Sequence, residues 1–274
     1  MNNLSNKRKI IFRTKGSSHG AITRLISPDD IGEMLKPFVF LDYVNAKNGP
    51  GFAFHPHSGI ATLTHPLTFD VQHESSNGQI DTVQQEGIEW VIAGGGLWHR
   101  AKVLRGQPVQ GFQLWISLPP NLENTESSAL FISPSDVPKL GPVTVLLGEY
   151  ENAKSLIKAP LDINCFIVKL KKGEVWNYVP PEMHNIAWTF AQMGQIKVNE
   201  QIFSSELVIF EEGNHKLNFT AVDNCTFLFG SSKKHDYPLV LGTHSVHTNE
   251  KALNEGKNKI EEIKKYLLET GKLK

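Results

Sequence analysis

Two histidines stand two positions apart in "FHPHSGI" (residues 54–60): His55 and His57. On a strand, alternate side chains point to one face, so the two imidazoles share a side, with Cα atoms about 6.5–7 Å apart. That separation lets both rings approach one ion, and neutral imidazole is a common ligand of divalent metals. The same pair on a wet strand face would need no ion. The surrounding "PGFAFHPHSGI" is rich in glycine and aromatic residues and holds no charge, which predicts a half-buried strand. Buried imidazoles need hydrogen bonds or a metal. A third histidine, His99, follows in "AGGGLWHRAKV". Gly94, Gly95 and Gly96 ahead of it permit a tight turn or a close backbone approach. The spacing therefore predicts a cap of three imidazoles contributed by two neighbouring strands, although His-x-His pairs alone also arise by chance.

The elements around these residues read as short strands punctuated by Gly, Pro and Asn. Residues 61–73, 88–94, 109–119, 163–173, 195–199, 206–213 and 225–230 are rich in β-branched and aromatic residues at sandwich or barrel spacing. "SPDDIGEML" (27–35) predicts a short helix with Ser27 as N-cap and Pro28 at the first position. The polar stretch 121–141 carries two prolines and predicts a connection between two β-units. The expected division is residues 1–130, holding the histidine pattern, then 131–240, then a tail and helix over 241–274. In that last segment Leu253, Ile260, Ile263 and Leu267 recur at helical spacing, Gly256 weakens the first turns and Gly271 is a stop. The helix is expected to pack across both units.

Composition bounds the function. The chain of 274 residues has 28 Lys plus Arg against 28 Asp plus Glu, so nothing in the charge balance argues for direct contact with nucleic acid or an anionic membrane. No apolar run reaches the length of a membrane span. Lys7, Arg8 and Lys9 precede too short an apolar run for an export signal and read as a solvated tail before a first strand. Cys165 and Cys225 lie in separate strand-like runs and read as buried thiols of a reducing compartment, which makes a cytoplasmic location the expectation.

The segments "PFVFLDYV", "GPGFAFHPHSGIATLTHPL", "VQHE", "IEWVIAGGGLWHRA" and "GFQLWISLP", in this order, resemble the N-terminal half of the pirin family of bicupins. "PLVLGTHSVHTNEKALNEG" is similar to the pirin tail before its last helix. The resemblance spans most of the chain, specific in the first half and diffuse in the second. It implies an all-β fold of two cupin barrels (double-stranded β-helices of jelly-roll type) with a C-terminal helix, and one metal, usually iron, in the N-terminal barrel. It also implies one of two functions. One is a quercetinase-like dioxygenase acting on a small aromatic substrate such as a flavonol. The other is a non-catalytic co-regulator acting through a protein partner. Carried over, the family's histidine ligands fall on His55, His57 and His99.

The family's fourth ligand, a Glu, falls on Ala101, and the broader cupin Glu falls on Ala61. A methyl group neither coordinates nor moves a proton. Three neutral imidazoles leave the full charge on a divalent ion and suit Zn, Ni or Cu as well as Fe, and no catalytic residue is assigned. Other candidates for the missing group are weaker. His73 sits near a strand end and is expected to be exposed. His65 shares parity with His55 and His57 but adjoins Pro66. Glu89 is expected to point outward, opposite Trp90, and Asp42 to tie a loop. His184 and His215 read as turn or surface residues, and His19, His235, His244 and His247 as residues of polar loops.

Overall fold

Segments in which β-branched and aromatic residues recur at a two-residue period form strands because that pattern covers a pleated, half-buried surface. The computed structural model of the chain describes residues 7–49 and 51–273. The outermost part of the expected N-terminal tail, residues 1–6, lies outside that range. The strands pair antiparallel throughout and fold into two compact units.

One unit comprises Ser17–Asp136 and His235–Lys274. Its larger sheet orders the strands Ser128–Ile132, Ile88–Ile92, Ile60–Pro66, Val109–Ser117, Phe38–Ala46, Ile22–Ile26 and Ser17–His19. Its smaller sheet orders Phe52–His57, Leu97–Arg105, Asp70–Ser75 and Ile80–Val83. Apolar clusters built around Phe40, Ile60, Val91, Leu97 and Trp115, and around Phe69, Val71 and Val83, hold it. The short helix of this unit covers only Gly32–Leu35, with no side-chain cap. The expected cap, Ser27, instead turns its hydroxyl to the Asp29 carboxylate.

The other unit comprises residues up to Gly16 and Val137–Lys234. It repeats the plan: seven strands, Ile10–Thr14, Leu207–Phe210, Ile186–Met193, Cys225–Ser232, Ile163–Leu170, Val143–Leu147 and Lys139–Leu140, and four more, Val175–Tyr178, Leu217–Ala221, Ile196–Val198 and Gln201–Phe203. Its interior is one large apolar cluster that includes Phe166, Trp176, Tyr178, Phe219, Phe227 and Phe229.

These units differ from the division at 130/131 and 240/241. The junction at Asp136/Val137 falls inside the polar stretch 121–141, but both chain ends are exchanged. Ile10–Thr14 pairs with Leu207–Phe210, and Arg8 in the basic cluster is buried rather than solvated. Its guanidinium donates to the carbonyls of Glu211 at 2.8 Å and Asn185 at 3.0 Å, and burial lowers its pKa to about 10.

The tail 235–274, in turn, belongs to the histidine-bearing unit. Glu123, buried in the 121–141 stretch, accepts from the backbone N–H and the hydroxyl of Thr248, both at 2.6 Å, and faces His247 Nδ1 at 3.2 Å. His247 Nε2 lies 2.9 Å from Ser58 Oγ. Asn249 caps the helix Glu250–Glu269 by accepting from Ala252 N–H. That helix packs on the strands Leu97–Arg105, Val240–Gly242 and Ser245–His247, with Ile260 and Leu267 against Trp98. Trp98 Nε1 donates to the Ile260 carbonyl at 2.9 Å. Gly256 is required here. A Cβ would sit 2.6 Å from Ser58 Oγ and 2.7 Å from His247 Nε2.

Candidate metal centre

His55 and His57 sit on Phe52–His57, and His99 lies on the antiparallel neighbour Leu97–Arg105, directly opposite His55 in register. Gly94 makes this approach possible. It adopts φ +52°, and a Cβ there would meet the Thr125 carbonyl oxygen at 2.2 Å. The ring centroids are 4.9 Å apart for His55–His57, 4.5 Å for His55–His99 and 5.0 Å for His57–His99. One ligand atom from each lies within 4.8 Å of the other two. The strand pattern thus brings the three histidines together as the sequence spacing predicts.

The hydrogen bonds leave nitrogens available. His55 Nδ1 donates to the Ala53 carbonyl at 2.8 Å and His57 Nδ1 to the His244 carbonyl at 3.2 Å, so Nε2 of each carries the lone pair. His57 Nε2 and both ring nitrogens of His99 are buried with no hydrogen-bond partner among the described residues. A buried polar atom left unpaired costs about 1–3 kcal/mol, and a divalent ion is a group that would satisfy all three rings. Burial also favours neutral imidazole. It holds His57 down to about 3, with His55 adding to the effect, and holds His55 and His99 below the ordinary histidine range. Neutral imidazole is the form that ligates. The residues present therefore fit a divalent metal.

A second group adjoins the first. One ligand atom each from His73, Glu89 and His99 also lies within 4.8 Å of the others. His73, expected at an exposed strand end, is 1% exposed. It is central in its sheet, paired to Ala101 on one side and Asp81 on the other. Glu89, expected to point outward, is 4% exposed and pairs with His73 Nδ1. Trp90 on the opposite face is buried as well, so strand alternation separates the two faces without marking one as wet. Arg100 points away from His99 and pairs with Glu74 at 2.6 Å. Ala101 borders the same small cavity, about 60 Å³, as His55, His73, Glu89 and His99. Ala61 is buried on the strand Ile60–Pro66 of the other sheet, where His65 Nδ1 bonds the Gly87 carbonyl.

His55 and His57 also border a larger cavity of about 660 Å³. Its wall is aromatic. Phe40 stacks on Trp115 at 3.9 Å, the Arg24 guanidinium lies 4.0 Å over Phe40, and Trp115 meets the edge of His57 at 4.9 Å. Asp42 accepts both guanidinium bonds of Arg24, at 2.5 and 3.1 Å, and so ties two adjacent strands. His244, at the turn of the tail hairpin, brings its ring 6.1 Å from His57 and 6.5 Å from His55. No local pattern announces His244, because it reaches the site only through the returning tail.

The remaining histidines do other work. His184, expected at a turn surface, is fully buried between Ser231 Oγ at 2.7 Å and Asp162 at 3.0 Å. His235 is buried against Ser117 Oγ at 2.6 Å. His19 and His215 are exposed. Among the described residues, both clusters with metal-ligand geometry lie in the unit of residues 17–136.

The family model described as Pirin matches residues 21–116. Pirin-like protein 2 of Arabidopsis thaliana is 26% identical over 220 residues, which cover 76% of this chain and 67% of that relative. A quercetin 2,3-dioxygenase from Acinetobacter baumannii superposes with a TM-score of 0.83 at 23% identity, over 92% of this chain and 96% of that one. The bacterial pirin YhhW of Escherichia coli, in complex with nickel(II), superposes with a TM-score of 0.63 at 19% identity, over 83% and 98% of the two chains.

Proposed function

We propose that this chain, which belongs to the pirin family through its residues 21–116, binds one divalent ion on His55, His57 and His99 and uses it on a flat aromatic substrate of the flavonol type. The observation that carries this reading is the placement of imidazoles with unpartnered nitrogens beside an aromatic-walled cavity. A volume of about 660 Å³ suits a ligand of several rings. A bound ion would supply Lewis acidity toward a substrate oxygen. The Phe40–Trp115 stack would hold the ring plane, and Arg24, poised over Phe40, would face its oxygens. The names of the Acinetobacter structure and of several sequence relatives support the substrate class.

Ala101 favours a second reading, a metal-binding cupin that acts through a protein partner. Protein purified without a histidine tag should carry about one divalent ion per chain, lost in His57→Ala. It should consume oxygen with a flavonol slowly, and Ala101→Glu, loaded with the same metal, should turn over about a hundredfold faster, the lower range for general-base assistance. Metal binding without any oxygen uptake in either form would favour the partner-binding reading.

A further inference from the structure

We infer that His73, Glu89 and His99 form a second divalent-cation position inside the same barrel, and that the two positions sort metals by ligand chemistry. The inference rests on the three-histidine reading for the first position only. His99 is shared by both sets, and both of its ring nitrogens are buried without a hydrogen-bond partner among the described residues. His73 Nε2 is likewise buried and unpartnered, and its ring lies 5.1 Å from that of His99. Glu89 brings a buried carboxylate to this side, next to the cavity bordered by Ala101. The carboxylate missing from position 101 thus has a counterpart on a different strand.

The two sets differ in kind. His55, His57 and His99 offer nitrogen alone, which suits nickel, copper and zinc. His73, Glu89 and His99 offer two imidazoles and one carboxylate, a composition suited to iron(II) and manganese(II), whose preference for oxygen is greater. Two ions at once would share one imidazole and place four positive charges against a single carboxylate, so one ion at a time is expected. Metal identity then sets where the ion rests. A nickel ion lies beside the large aromatic cavity and a manganese ion deeper, against Glu89.

Crystals of the wild-type protein soaked separately in manganese(II) and nickel(II), with anomalous difference maps, test this without altering a residue. Manganese is expected at about 2.0–2.3 Å from a Glu89 oxygen and nickel at that distance from His55 and His57. Titrations add a second readout. Glu89→Gln should weaken manganese(II) binding at least tenfold and leave nickel(II) within about threefold, and His55→Ala should do the reverse. Both metals at one position, no manganese near Glu89, or equal losses in Glu89→Gln would overturn the inference. Nickel absent from the three histidines would instead sink the proposed function.

Discussion

In the unit of residues 137–234 the interior is filled by Phe166, Trp176, Tyr178, Phe219, Phe227 and Phe229; in the unit of residues 17–136 the corresponding space holds His55, His57, His73 and His99. The strand plan, seven and four, is the same. In the aromatic interior the polar atoms of Trp176 and Tyr178 find partners within the unit. Trp176 Nε1 donates to Tyr150 OH at 3.2 Å, and Tyr178 OH lies 2.8 Å from Ser231 Oγ. In the histidine interior, ring nitrogens of His57, His73 and His99 are buried without hydrogen-bond partners among the described residues. The same strand plan thus encloses an aromatic interior in one unit and a cluster of histidines in the other.

The comparison should break first with acid. In metal-free protein, burial holds His57 down to about 3 and His235 to about 4, and lowers His55, His99, His244 and His247 as well. The unfolded chain takes up these protons near pH 6.5, while the folded barrel refuses them until the lower values. Stability is therefore full above about pH 6.5 and is lost progressively as pH falls from there toward the folded values of about 4 and 3. A tenfold difference in proton affinity between the folded and unfolded chain corresponds to about 1.4 kcal/mol per group, so several histidines make this the largest effect. The aromatic barrel has His184 lowered in the same sense. Urea series at pH 7 and pH 4.5, read by proteolysis with peptide mapping, should show the histidine barrel losing more. Equal losses in both would contradict the contrast.

Phe229→Ala probes the other side. This ring is fully buried and lies 4.5 Å from Tyr178. Its removal is expected to cost about 3–5 kcal/mol, read at neutral pH by labelling of Cys165 and Cys225, both buried in that barrel, across a urea series. A cost below about 1 kcal/mol would mean that this interior is not the tight core described. The smallest effect is at the helix cap. Asn249→Ala should cost about 1 kcal/mol and loosen proteolytic protection of Glu250–Glu269 while sparing residues 137–234.

Much of the site is legible in the order of the amino acids. His55 and His57 follow from strand parity, and His99 from the glycines that let its strand close. Glu89 escapes that logic because parity with Trp90 tells only that the two side chains part, and this strand is buried on both faces. His73 escapes it because position along a strand does not reveal whether that strand is flanked on both sides. Gly256 looks like a weak point in its helix and is instead the contact that admits Ser58 and His247. Arg8 and His244 depend on partners more than 170 residues away in the chain, and no local pattern encodes such pairings.

The exchange of chain ends between the two barrels has a consequence for biosynthesis. The strand Ile10–Thr14 leaves the ribosome long before its partner Leu207–Phe210. The histidine barrel likewise waits for Thr248 before Glu123 has its hydrogen bonds. Neither barrel can be finished until synthesis has passed well beyond its first strands. A messenger truncated after the codon for Asp136 would therefore yield the histidine-bearing strands without their closing tail.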